Sequence, residues 1–403
     1  MVRRKIGHIF RILTLVILIL TIHSTLKRLL VMKRYGYRRQ ETSTSIAAPQ
    51  LNSSLTRQSI HRDITTKCPW IVRKNTLPNF YTRRGAFGID DNFSPSSPYA
   101  NGNVVFLHNQ KSGGTTIKGC LRQIAAKLNI PQPTLIWNAN AAEFYLILSK
   151  RNDSGENITL SKFYYGGHTF RVCDFASKPC SYFTVLRDPV ERVISSYEFC
   201  KVRYMEPQCR VRNASEVSIN EWAVSQGSFF FRQLSYNPLF CMRFFDDLLR
   251  KLVKPGDLPT AIGHSQCWYR NELIINHLLT EDDKYAILHY ILDNLENWFA
   301  VIGLTEEWET TLHLLQKAYN LPFHSTCSGK MTNYHPYTEE GERHRSVTSG
   351  HFSRREIVES LKKRLWSDKD VIQALKFDLI IYERAKEIFS SQVQAYNQTL
   401  SVT

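Results

Sequence analysis

Short apolar runs set into long mixed stretches are the clearest pattern along this chain. Val104, Val105, Phe106 and Leu107 are four apolar residues in a row, the signature of a strand buried on both faces. A Gly-containing turn follows at residues 112–115, then a stretch with Ile117, Leu121 and Ile124 at helical spacing. The order recurs twice. Residues 182–186 predict a strand that leads through Arg187, Asp188 and Pro189 into a helix. Residues 298–304 predict another, before a helix over about 306–319 with Trp308, Leu312 and Leu315 on one stripe. Strand, turn and helix three times over predict an α/β fold with a parallel sheet flanked by helices. Ligands of such sheets sit at the carboxyl ends of the strands, and the first two turns carry charged side chains there.

The rest of the chain is organised around this region. Residues 12–26 carry no charge and are mostly Leu, Ile and Val. That is short for a span of about 30 Å, but Ile9 and Phe10 extend it, with Arg11 reaching the interface. Basic residues precede and follow the run, and no small-residue cleavage site follows it, so it is expected to be an uncleaved anchor. Residues 1–11 would be a cytosolic tail, 27–100 a Ser/Thr-rich stem, 101–392 the catalytic domain and 393–403 a C-terminal tail. Six N-x-Ser/Thr sequons (Asn52, Asn92, Asn152, Asn157, Asn213, Asn397) and all nine cysteines lie after the apolar run. Both point to an oxidising, glycosylating lumen and a single-pass type II arrangement. Cys173 with Cys180, and Cys200 with Cys209, are expected to close short loops; the odd number leaves one thiol over.

The chain has 403 residues, 43% of them hydrophobic, which is enough for a large core. Its formal charge is +16, but ten Lys and Arg fall in residues 1–40 without an acid, leaving +6 for the rest. A mildly basic bulk suits acidic ligands.

Two motifs carry the candidate chemistry. In His108-Asn109-Gln110-Lys111-Ser112-Gly113-Gly114-Thr115-Thr116, the glycines let backbone approach a phosphate. The helix that follows offers its positive end, Lys111 a charge, and Thr115 and Thr116 hydroxyls. Lysine precedes the glycine pair, unlike the order of a Walker A loop. In the second motif Arg187 ends a strand and Ser195 lies two turns into the next helix, placed to meet a second phosphate. The competing reading pairs Arg187 with Asp188 or Glu191 and leaves Ser195 to pack.

Together the motifs resemble the donor-binding signature of the Golgi carbohydrate sulfotransferases, which use 3′-phosphoadenosine-5′-phosphosulfate (PAPS). Lys111-Ser112-Gly113-Gly114-Thr115 looks like their 5′-phosphosulfate loop, and Arg187-Asp188-Pro189-x-x-Arg192-x-x-Ser195 like their 3′-phosphate loop. Gly166-Gly167-His168-Thr169-Phe170 resembles the 2-O-sulfotransferases, where a Gly-His segment supplies the base; the first loop looks closer to the heparan sulfate 6-O-sulfotransferases. The likeness runs through residues 301–307 to a last helix with Asp378, Tyr382, Glu383 and Phe389. It implies a P-loop kinase-like fold of five parallel strands, sulfuryl transfer to a sugar hydroxyl, Lys111 at the leaving oxygen and His168 as base. It implies an acidic or neutral glycan acceptor of the glycosaminoglycan type. No metal and no nucleic acid are expected. A loop near residues 327–351 would close over the donor, with Lys330 or Arg343 near it.

Other readings compete. His264-x-x-Cys267 and His324-x-x-Cys327 imitate a zinc site, though an oxidising lumen favours disulfides. His108 and His264 are alternative acceptor-binding groups. The cluster at Lys362, Lys363 and Arg364 reads as a solvated helix face. A lumenal ATP-dependent kinase and an inactive glycan-binding relative are the alternative functions.

Overall fold

A computed structural model describes residues 54–83, 97–137, 139–156, 158, 160–204, 206, 209, 213–241, 267–329 and 354–401. The expected anchor at 12–26, together with His264, Lys330 and Arg343, lies outside the described residues. Among the described residues no helix is long and apolar enough to cross a membrane.

The chain divides into two compact units, Met1–Val72 and Arg73–Thr403. The first holds α1 (Ser54–Lys67) and a 3-10 turn at Pro69–Ile71. A 14-residue helix was not expected in a stem; its sparse apolar residues, Leu55, Ile60 and Ile64, are outnumbered by polar ones.

The second unit is built on a five-stranded, all-parallel sheet. Its elements run α2 (Pro98–Asn101), β1 (Asn103–Leu107), α3 (Gly114–Lys127), β2 (Thr134–Leu135), α4 (Ala139–Asp153), β3 (Phe163–Gly166) and β4 (Cys180–Leu186). There follow α5 (Pro189–Val202), α6 (Ile219–Gln226), α7 (Phe229–Leu234), α8 (Cys267–Leu278), α9 (Glu281–Trp298) and β5 (Phe299–Leu304). The chain ends with α10 (Trp308–Tyr319), α11 (Phe323–Cys327), α12 (Arg354–Trp366) and α13 (Lys369–Leu400). Strand order is β2-β3-β1-β4-β5. Every residue of β1, β3, β4 and β5 is buried, as a sheet covered on both faces requires. β1, β4 and β5 match the three expected strands.

This order places a switch point beside β1. The chain leaves β1 for β2 and β3 on one side, then crosses to β4 on the other, so the loops after β1 and β4 diverge and leave a crevice. Leu107 pairs with Gly166 and with Thr184, which brings the ends of β3, β1 and β4 side by side.

Three features fasten the frame. Gln392 of α13 accepts from Ile302 N (3.0 Å) and donates to Ile302 O (2.7 Å), closing the edge of β5 with one side chain. α13 continues through most of the expected tail. Part of the expected stem joins the sheet: Leu77 N donates to Cys180 O and Phe80 N to Ala300 O. Among the described residues three disulfides are formed: the expected Cys173–Cys180 and Cys200–Cys209, and Cys120–Cys327, which ties α3 to α11 across 207 residues.

Candidate functional site

The loop after β1 runs from His108 to Gly113, with Lys111 (φ 66°) and Gly113 (φ 74°) in the left-handed region. Gly113 caps α3, whose first turn holds Gly114, Thr115 and Thr116. A Cβ on Gly114 would lie 1.7 Å from His108 Nε2, and one on Gly113 would touch the Trp308 ring at 3.0 Å. The two glycines therefore make room for the His108 and Trp308 rings to pack against a helix N-terminus. Ser112 is buried, its hydroxyl 3.5 Å from Asn109 Oδ1, whereas Thr115 is exposed. Lys111 stands half-buried over the Phe199 ring, Nζ 3.9 Å from its centroid. Burial, and then the charge of Arg187, push its pKa down to about 8.

The loop after β4 holds Arg187 and Asp188. Asp188 Oδ1 accepts from Val190 N and Glu191 N, both at 2.9 Å, and Pro189 occupies the first turn of α5. Arg187 Nη2 lies 3.2 Å from Glu191 Oε2, so the competing ion pair is present. Glu191 also meets Lys362 at 2.5 Å, so Lys362 is no mere solvated residue. Burial raises the Glu191 pKa, but Lys362 and Arg187 together outweigh it and hold the carboxyl below its usual range. A half-exposed pair of this kind is worth under about 1 kcal/mol, so an anion can displace Glu191 from Arg187. Ser195 is half-buried on α5.

The loop after β3 turns at Gly166, where φ is 144° and a Cβ would meet Ile136 O at 2.0 Å. Only glycine suits this turn. Thr169 Oγ1 donates to Phe106 O and Gly166 O, both at 3.1 Å. His168 is buried between the edges of Trp137 (5.7 Å) and Tyr236 (4.8 Å), and its carbonyl accepts from Tyr145 Oη. Burial pushes its pKa down to about 3. Trp137 also lies tilted against His108 (5.7 Å), so one indole stands between two imidazoles. Burial, then Lys111 and Lys118, push His108 to about 4. Both imidazoles are neutral at physiological pH.

The three expected motifs thus lie on three adjacent strand ends. Trp137, Gln233, Tyr236 and Trp308 join them without having been singled out as site residues, because they arrive from distant segments. Two buried donors near this helix N-terminus, Gln110 Nε2 and Trp308 Nε1, have no hydrogen-bond partner among the described residues. A helix N-terminus, two cations and two orphaned donors fit a phosphorylated nucleotide. Among the described residues no group of His, Cys, Asp and Glu is placed to hold a metal ion. The zinc reading loses Cys327 to its disulfide, and His324 Nε2 instead lies 3.2 Å from Glu309 Oε2.

Neither protein-family models nor curated proteins gave a match to this chain.

Proposed function

We propose that this chain is a PAPS-dependent carbohydrate sulfotransferase with a P-loop kinase-like fold, anchored in the Golgi membrane by residues 12–26 with its catalytic unit in the lumen. One observation carries the reading: Lys111, Arg187 and His168 stand on the loops after β1, β4 and β3, three neighbouring strands of one parallel sheet. The resemblance to the Golgi enzymes rests on these same loops. PAPS supplies a sulfuryl group joined to phosphate through a bridging oxygen.

The residues divide the work as follows. Lys111 and the N–H groups opening α3 hold the 5′ end and neutralise charge on the leaving oxygen. Arg187, released from Glu191, and Ser195 hold the 3′-phosphate. His168 takes the proton of the sugar hydroxyl as that oxygen bonds to sulfur and the bridging S–O bond breaks. Its burial keeps the imidazole neutral but weakly basic; an anionic donor beside it would pull its pKa back up. The disulfides and the exposed sequon residues Asn152, Asn213 and Asn397 support a lumenal setting.

The test is incubation of the purified full chain with mixed glycosaminoglycans and either ³⁵S-labelled PAPS or γ-³²P-labelled ATP. Transfer of ³⁵S to glycan is expected. Transfer of ³²P alone would replace the proposal with a kinase; nucleotide binding without transfer would replace it with an inactive glycan-binding relative.

A further inference from the structure

The ladder between β1 and β3 ends one residue short of the site. His108 N donates to Gly166 O at 3.0 Å, and there the strand pairing stops. The next two carbonyls, His108 O and Gly167 O, belong to the loops that carry Lys111 and His168. Both accept from one atom: Gln233 Nε2 lies 3.0 Å from His108 O and 2.9 Å from Gly167 O. A side-chain amide from α7 thus supplies the rung the sheet leaves out.

Gln233 is buried, and its Oε1 has no hydrogen-bond partner among the described residues. A buried, unsatisfied acceptor carries a cost that Met or Leu of similar volume would avoid. Packing alone therefore does not account for an amide here; its two donated bonds do. The helix that presents it is firmly held. Asp378 of α13 accepts from Phe230 N (3.0 Å) and Phe231 N (2.8 Å), and Ser228 Oγ donates to Ala374 O (2.9 Å). Arg192 of α5, fully buried, lies over the Phe229 ring at 5.2 Å, with Asp378 as its opposite charge. The mount of Gln233 thus reaches the helix that follows the Arg187 loop.

We infer that Gln233 is a positioning residue. It sets the spacing between the donor loop and the acceptor-base loop by holding their first free carbonyls on one N–H₂ group. This rests on the sulfotransferase reading. The donor site, formed by the β1 and β4 loops, does not need that spacing; transfer from donor to the hydroxyl held by His168 does.

The test uses the full chain and compares kcat with the affinity for 3′-phosphoadenosine-5′-phosphate. Gln233→Met should lower kcat by about 10–100-fold, the scale of a misplacement near 1 Å, and change nucleotide affinity less than about 3-fold. In a His168→Ala background the same change should cost less than about 3-fold, because residues acting through one another are not additive. Gln233→Glu is the second variant. Ionised, it turns an oxygen toward two carbonyl oxygens. Burial raises the carboxyl pKa, and the protonated form regains one donor, so its activity should rise as pH falls, relative to wild type. An unchanged kcat for Gln233→Met, full additivity with His168→Ala, or a Gln233→Glu pH profile parallel to wild type would overturn the inference while leaving the sulfotransferase reading intact. Absence of transfer by the wild-type chain would overturn both.

Discussion

If the proposed donor binds as inferred, Lys111 should make its binding depend on pH in a range where few other groups titrate. Its pKa stands at about 8, lowered by burial and then by Arg187, against an ordinary value of 10.5. In the unliganded protein about nine-tenths of the lysine is charged at pH 7 and about one-tenth at pH 9. If the charged form binds the 5′-phosphate, affinity for 3′-phosphoadenosine-5′-phosphate falls about 10-fold between these values. His108 and His168, at about 4 and about 3, stay neutral throughout, and burial carries the Tyr145 and Tyr236 hydroxyls upward out of the range. Lys162 is also lowered to about 8, but its Nζ binds the carbonyls of Ala100 and Gly102, at the amino end of β1. Calorimetric titration at constant ionic strength from pH 6.5 to 9.5 reads the break. Lys111→Arg, charged throughout, should flatten it; Lys162→Met should not. Stability should move the other way. Between about pH 8 and 10.5 the unfolded chain retains a proton the folded lysine has lost, so the contribution of Lys111 to unliganded stability rises with pH. Wild-type affinity that is flat from pH 7 to 9, or a break that survives Lys111→Arg, would refute the assignment.

Three further outcomes are expected. Arg187→Ala should weaken 3′-phosphoadenosine-5′-phosphate by about 1.5–3 kcal/mol and adenosine 5′-phosphate far less; equal losses by equilibrium binding would show that Arg187 does not read the 3′-phosphate. His168→Ala should lower turnover by about 10²–10⁴-fold with donor affinity intact, and the acidic limb for the free enzyme should lie well below pH 6.5; near-normal turnover would move the role of base to His108. Gly166→Ala should cost more than about 2 kcal/mol in denaturant unfolding, since its Cβ meets Ile136 O at 2.0 Å on a backbone with φ 144°; an unchanged midpoint would contradict that geometry.

The parts of this fold that could be read from the chain are those whose signal is local. β1, β4 and β5 announce themselves as unbroken apolar runs because both faces of the sheet are covered. β2 and β3, two and four residues long, are too short to show any period, so no local signal marks the strand that places His168. α10 starts at Trp308, two residues later than expected, after Glu306, which accepts from Asp188 N at 2.9 Å. In the site, Lys111, Gly113, Gly114, Arg187 and His168 stand beside turns whose glycine, proline and charge are visible in sequence. Gln233 reaches His108 across 125 residues, and nothing in its own neighbourhood marks it. Lys362 carries no local mark of its ion pair for the same reason: Glu191 lies on a different helix.

The Cys120–Cys327 bond also has a consequence in time. At about 5–20 residues per second, the ribosome needs roughly 10–40 s to make the 207 residues between the two partners. Cys173, Cys180, Cys200 and Cys209 all emerge in that interval, and their loops, of 7 and 9 residues, can close at once. Cys120 cannot meet its final partner while these local pairs form. The helix that opens at the Lys111 loop is therefore fastened late, and a nascent chain stopped anywhere before Cys327 cannot lock it.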